Sequence, residues 1–223
     1  MCSYIRPYAP ESQSAALRHF IFARESIRGV NTLHIASLFW DANVVKLLLE
    51  HTGPDLVCSR DTNGRLPLHW AAAGTRLEEC KFPDGELGVK IAMTFLLLLS
   101  ANASAINFPE ARGSTAQHHA VETHAGCGGR DRVESAIRCL LEHGADPRFP
   151  DSQGHKVLHI LRYNFQGGEP DNATVFNLLT THGANVNHTD KNGNTALHTL
   201  VVNLRQITTV KLLLDHRAYI SRS

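Results

Sequence analysis

Neither sign of charge prevails in this chain. Its 22 Lys plus Arg stand against 21 Asp plus Glu, a formal +1 over 223 residues. Such a balance offers no broad electrostatic footprint for nucleic acid or an anionic membrane surface. Long apolar runs are also missing. The longest, residues 95–99 with Ile91, Ala92 and Met93 ahead of it, falls far short of the ~20 residues that a bilayer span needs. Residues 1–10 include Arg6, but no apolar stretch of signal-peptide type follows. The five cysteines (Cys2, Cys58, Cys80, Cys127 and Cys139) are odd in number and scattered, with no Cys-x-x-Cys among them. That argues against a disulfide framework or a zinc ribbon and for a reducing, intracellular setting, cytoplasmic or nuclear. The signatures of covalent and nucleotide chemistry are absent too. There is no Gly-x-Ser-x-Gly, no phosphate-binding glycine loop ending in Lys-Ser/Thr, and no dinucleotide fingerprint between a strand and a helix.

What is present is repetition. Five hexamers share one pattern: Asn31 to Ala36 (NTLHIA), Leu66 to Ala71 (LPLHWA), Thr115 to Ala120 (TAQHHA), Lys156 to Leu161 (KVLHIL) and Thr195 to Leu200 (TALHTL). Gly29, Gly64, Gly113, Gly154 and Gly193 each stand two residues ahead of a hexamer. The shared histidines, His34, His69, His118, His159 and His198, are 35, 49, 41 and 39 residues apart. A second landmark sorts this irregularity. Each hexamer is followed by an apolar run closing on a turn residue, at Thr52, Asn102, Gly144, Gly183 and Arg217. From histidine to turn residue the distances are 18, 33, 26, 24 and 19, and from turn residue to the next histidine 17, 16, 15 and 15. The extra length therefore falls in one place, between hexamer and apolar run. The composition there is that of loops: Gly74 to Gly88 with Phe82-Pro83-Asp84-Gly85, then Ala125 to Gly129, then Gln166 to Asp171.

Each unit reads as turn, helix, loop, helix. Thr32, Thr115 and Thr195 stand where a hydroxyl can cap a helix start, and Pro67 suits a first helical turn. The apolar spacing of Val44, Val45, Leu47 and Leu48, and of Ile137, Leu140 and Leu141, is helical. Gly144, Gly183 and Asn102 are placed to close helices in the left-handed conformation. Asp61-x-x-Gly64, Asp151-x-x-Gly154 and Asp190-x-x-Gly193 are turn chemistry between units.

The hexamers are similar to the Thr-Pro-Leu-His-x-Ala signature of the ankyrin repeat, and the two shortest intervals together make its period of about 33. The resemblance covers about residues 26–223 and is closest in the second and fifth units. The third departs at Gln117, the fourth at Lys156, Val157 and Leu161. The resemblance implies an all-α fold: an ankyrin-repeat solenoid of stacked helix pairs joined by β-hairpin-like turns, divided at about 26–60, 61–109, 110–150, 151–189 and 190–223. Residues 1–25 would supply an N-terminal capping helix, with Ala16, Leu17, Phe20 and Ile21 at helical spacing. The same resemblance implies a non-catalytic adaptor or scaffold that binds a protein partner on the concave surface of turn tips and first helices, without a cofactor. The alternatives are a structural spacer segment of a longer ankyrin array, or a metal-dependent enzyme using His118, His119 and His124. The last lacks the His-Glu-x-x-His spacing of the zincins. Carried onto this chain, the contact positions are Phe39, Thr62, Asn63, Arg65, Arg112, Glu122, Gln153, Tyr163, Asn164, Lys191 and Asn192. Phe39, Trp40, Arg65, Arg112 and Tyr163 are the expected anchors, since aromatics and arginine dominate contact energy. Trp70, inside a hexamer, is expected in the core. The signature histidines are expected to be structural. The three Asn-x-Ser/Thr triplets, at Asn102, Asn172 and Asn187, are read as turn residues. The last helix, with Ile207, Val210 and Leu214, is expected to be only partly capped, so that the chain is a piece of a longer array or frays at that end.

Overall fold

The computed structural model describes residues 29–74, 86–123, 130–161, 173–201 and 207–219. The capping segment expected in residues 1–25 and the insertions at 75–85, 124–129 and 162–172 lie outside the described residues, as do Tyr163 and Asn164. The described chain is helical. Its only bridge pairing outside helices is Thr189 with Thr195.

The helices alternate between short and long. The first helices of the units are α1 (Thr32–Leu38), α3 (Pro67–Ala73), α5 (Ala116–Thr123), α7 (Val157–Ile160) and α9 (Ala196–Val201). The second helices are α2 (Ala42–Thr52), α4 (Glu86–Ala101), α6 (Arg130–Glu142), α8 (Ala173–Thr181) and α10 (Ile207–Asp215). Each first helix packs on the next first helix, and each second helix on the next second helix. The core runs continuously between the two rows, through Leu33, Trp40, Leu68, Phe95, Leu98, Ile137, Leu140, Phe176, Leu179 and Leu213. This is the solenoid of stacked helix pairs that the resemblance implies.

Local chemistry explains where the helices begin and end. Asn31, in extended backbone, accepts the His34 amide at 3.1 Å and opens α1. Asp41 does the same for α2 through the Val44 amide, at 3.1 Å. Pro67 sits in the first turn of α3, where its missing N–H has no partner to lose. Gly144 and Gly183 take positive φ and close α6 and α8, with Ala145 N donating to Leu140 O and Ala184 N to Leu179 O. Arg217 does the same after α10 at φ 60, with Ala218 N on Leu213 O, although it has a Cβ.

Several expectations need correction. Asn102 is extended, at φ −152, rather than left-handed; its side chain instead accepts the Ser104 amide and starts a 3-10 turn, Ala103–Asn107. Thr52 still belongs to α2, and Gly53 closes that helix. Helix α4 already begins at Glu86, so Gly88 is helical and the insertion of the second unit is shorter than its composition suggests. Thr32 is the first residue of α1 and Asn31 its cap. Trp40 is buried, at φ 52, with its indole N–H on Ala71 O at 2.9 Å, so it packs against the next unit and cannot anchor a partner.

Candidate interaction surface

The signature histidine is the joint between units. In α3 the Leu66 amide donates to His69 Nδ1 at 3.1 Å, and His69 Nε2 donates to Phe108 O at 3.0 Å in the next unit. His118 takes the Thr115 amide and hydroxyl on Nδ1 and donates from Nε2 to His155 O. His159 takes the Lys156 amide and donates to Asn194 O, and His34 reaches Arg65 O. The Thr115 and Thr195 hydroxyls therefore serve the imidazole, not an orphan backbone N–H. One ring that accepts at Nδ1 and donates at Nε2 must be neutral. Burial enforces this: it lowers His34, His118 and His159 from the ordinary imidazole value, and His69 to about 4.

The turns that precede the hexamers form the second joint. In the four that begin at Asp61, Glu110, Asp151 and Asp190, a carboxylate folds back on its own loop. Asp61 accepts the Asn63 and Arg65 amides, Asp151 those of Gln153 and His155, and Asp190 those of Asn192 and Asn194, all between 2.8 and 3.0 Å. Glu110 takes the Arg112 amide. The glycine then turns the chain at positive φ. At Gly113 and Gly154 a Cβ would come within 3.0 Å of the backbone amide of Ser152 or Lys191, so only glycine lets the tips stack this closely. The tips are joined by a backbone ladder: Ala111 N to Asn63 O at 2.9 Å, Ser152 N to Arg112 O at 2.7 Å and Lys191 N to Gln153 O at 3.0 Å.

This ladder brings the expected contact residues into one line. Thr62, Asn63, Arg112, Gln153, Lys191 and Asn192 are exposed on successive tips. Glu122 is exposed near the end of α5, and Phe39 is half-buried just after α1. Arg65 is different in kind. Its guanidinium lies 2.7 Å from the fully buried Asp61 carboxylate and 5.1 Å from the centre of the Trp70 ring, and the Trp70 indole N–H donates to the same carboxylate at 3.0 Å. Burial works to raise the Asp61 carboxyl, but the hydrogen bonds from Arg65 and Trp70 outweigh it and hold it below the usual carboxylate value. Arg65 is thus part of the tip's own framework. Trp70 is in the core, as its place in the hexamer implies.

Two joints between units were not expected from the sequence, where Asn187 is read only as a turn residue and Asn107 has no role. Asn107 and Asn187 clasp the following unit: Asn107 bonds Gly144 O and the Asp146 amide, and Asn187 bonds Arg217 O and the Tyr219 amide. Their signal was Ala105-Ile106-Asn107 and Asn185-Val186-Asn187, which stand at the same place ahead of the third and fifth turns. His155 lies between Asp151, at 3.2 Å, and Asp190 of the next tip, at 3.6 Å. Of the trio weighed for metal, His118 is spent on the joint, His119 stands edge-on to His69 with ring centres 5.6 Å apart, and His124 lies outside the described residues. Among the described residues no three His, Cys, Asp or Glu side chains converge as ligands. No described helix is long and apolar enough to cross a membrane.

A family model for ankyrin repeats, in three copies, matches residues 134–223. Residues 134–223 carry ankyrin repeats. Ahead of that stretch, His34, His69 and His118 repeat the same cap-and-bridge geometry, which extends the solenoid to α1. A 104-residue stretch, 47% of the chain, is 31% identical to Palmitoyltransferase akr1 of Neurospora crassa. The match spans 11% of that relative's length.

Proposed function

We propose that this chain is a non-catalytic adaptor or scaffold module, whose row of turn tips and adjoining first-helix ends receives a protein partner. One observation carries the reading. The ladder holds four tips in register, each turning its carboxylate inward and its next side chains outward. A fixed line of exposed Asn63, Arg112, Gln153, Lys191 and Asn192 offers hydrogen-bond donors that cost little ordering on binding. Phe39 and Glu122 extend it onto the first-helix side, where Tyr163 and Asn164 are expected to join. The five scattered cysteines support a reducing compartment, cytoplasm or nucleus. The akr1 match brings no chemistry with it, because it covers so small a share of that protein.

The test compares two variants of the full chain in quantitative pull-downs. Asn63→Ala/Arg112→Ala/Lys191→Ala strips the tips. Lys46→Ala/Arg138→Ala strips exposed cations from the second helices. Partners should be lost at least tenfold from the first variant and retained by the second, since anchors of this kind contribute about 1–2 kcal/mol each. Equal retention by both would favour the spacer reading. Loss only from the second would move the binding face to the second helices.

A further inference from the structure

The four tips that hold a carboxylate, residues 60–65, 109–114, 150–155 and 189–194, sort their charges by sign. The carboxylates turn inward. Asp61, Glu110 and Asp190 are buried, and the Asp151 side chain is 14% exposed. Each accepts amides of its own loop, so its charge is met from within. The exposed charges of the same tips are all cations: Arg60, Arg112 and Lys191. Among the described residues none of the three stands within ion-pair distance of a carboxylate. Arg60 lies instead over the Phe108 ring, with its guanidinium carbon 4.5 Å from the centre. Arg65, the tip cation that is paired, is half-buried on Asp61. The second helices differ. There Lys46, Lys90 and Arg138 each meet a glutamate one turn away, at 3.9, 3.0 and 2.7 Å.

We propose that the partner of the tip row is an acidic, extended peptide segment, whose Asp or Glu side chains meet Arg60, Arg112 and Lys191. The assignment rests on the tip-row reading and adds the chemistry of what binds there. Charge complementarity selects the sign. A carboxylate arriving at the tips meets unpaired cations, whereas a basic segment meets like charge, with every tip carboxylate turned away from it. The amides select a peptide. Asn63, Gln153 and Asn192 are exposed among the cations, and each offers the donor and the acceptor that a peptide backbone needs. Charge balance argues against a polyanion. The tips hold Arg60, Arg65, Arg112 and Lys191 against Asp61, Glu110, Asp151 and Asp190, so as a whole they are neutral and attract at contact rather than at a distance. Nucleic acid is held by longer rows of cations and, when single-stranded, by aromatic faces; these tips contain no Phe, Tyr or Trp. Exposed Glu122, near the far end of α5 from the tips, bounds the acidic footprint on the first-helix side.

The experiment selects random linear peptides, displayed on phage, against the full chain, and measures the selected peptides by fluorescence anisotropy on the chain and two variants. Arg60→Gln/Arg112→Gln/Lys191→Gln removes the exposed cations and keeps polar side chains. Asn63→Ala/Gln153→Ala/Asn192→Ala removes the amides and keeps the cations. The selected peptides should be enriched in Asp and Glu over the input library. Their affinity should fall about tenfold in the cation variant, the combined effect of three exposed charge pairs, and the difference should shrink at high salt. Arg112→Lys/Lys191→Arg should keep the affinity. Melting temperatures should match that of the unmutated chain, since the exchanged side chains are exposed. Peptides without acidic enrichment that weaken in the amide variant overturn the acidic partner and leave the tip-row reading standing. Peptides that bind both variants as tightly as the unmutated chain overturn both. A selection that enriches no peptide overturns the proposal. So does oligothymidylate that matches the affinity of the selected peptides and is lost from the cation variant, for then the row takes any polyanion.

Discussion

The second and third units have the same backbone and different fillings. Leu68 in α3 and Gln117 in α5 hold the same position of the hexamer and are both buried, at 0% and 1% exposure. The leucine belongs to the continuous core. Neither polar atom of the glutamine amide finds a hydrogen-bond partner among the described residues. On the other side of the histidine, Trp70 stands edge-on to His34, while its counterpart His119 stands edge-on to His69. On the outer side, Leu96 and Met93 of α4 are exposed where α6 carries Arg138 and Ser135. The two units nevertheless share the imidazole joint, the folded-back carboxylate and the stacked glycine. Position in the solenoid is fixed by backbone-directed hydrogen bonds, which leaves the side chains between them free to vary.

The sharpest way to break the comparison is to remove what the units share. His69→Ala deletes the bond from the Leu66 amide and the bond to Phe108 O, both in buried surroundings. Leaving buried polar groups unpaired costs about 1–3 kcal/mol apiece, so urea unfolding should show a loss of about 3–5 kcal/mol. A loss below about 1 kcal/mol would mean that packing alone sets the register.

Protonation attacks the same joint without mutation. An unfolded histidine takes its proton near pH 6.5, whereas His69 in place resists until about 4, through burial. Between these values the unfolded chain binds the extra proton. Its contribution to stability is therefore complete above pH 6.5 and is lost as pH falls towards 4. His34, His118 and His159 are shifted in the same direction. The unfolding free energy should fall across this window, and His69→Gln should remove up to one proton from the slope. An identical slope in the variant would show that other groups carry the dependence.

Exchanging the fillings gives a smaller effect of opposite sign in the two units. Gln117→Leu replaces an unpartnered buried amide by a shape that the signature position accepts, and should stabilise by about 1–2 kcal/mol. Leu68→Gln should destabilise by more than that. If Gln117→Leu instead weakens the fold, the amide has a partner outside the described residues.

The sequence alone made the repeat, the place of the insertions and the role of the histidines legible, because backbone joints demand one residue type at one spacing. Gln117 was legible as a departure, though not its burial without partners. The fate of Trp40 and Arg65 was not legible. Both are large side chains flanking a turn, and whether such a residue faces a partner or its own neighbour depends on contacts 31 residues away, as for Trp40 and Ala71, or on a carboxylate already committed to the loop, as for Arg65 and Asp61. Among the candidate contact residues, the exposure of the tips was readable because an acidic residue three before the glycine, Glu110 in the third turn and Asp61, Asp151 and Asp190 in the second, fourth and fifth, folds its carboxylate inward.

The smallest expected effect concerns the outer side of α4. Leu96 stands directly ahead of Leu97-Leu98-Leu99, at the place that is Lys46 in α2, Arg138 in α6, Asn177 in α8 and Lys211 in α10. All four of those are exposed, and Leu96 is 44% exposed beside exposed Val89 and Met93. A polar residue is therefore compatible with this position in every other unit. An exposed substitution that breaks no cap and no hydrogen bond usually changes stability by less than about 0.5 kcal/mol, so Leu96→Lys should leave the urea midpoint almost unmoved. The added cation would stand four residues before Ser100 and six after Lys90, outside the Lys90–Glu86 pair at 3.0 Å, and so disturbs no existing ion pair. Removing one third of an apolar stripe should also lower any self-association at high concentration, which sedimentation reads directly. A destabilisation of 2 kcal/mol or more, on the order expected for a buried leucine, would mean that something covers this stripe and that α4 differs from its neighbours because it has a contact they lack.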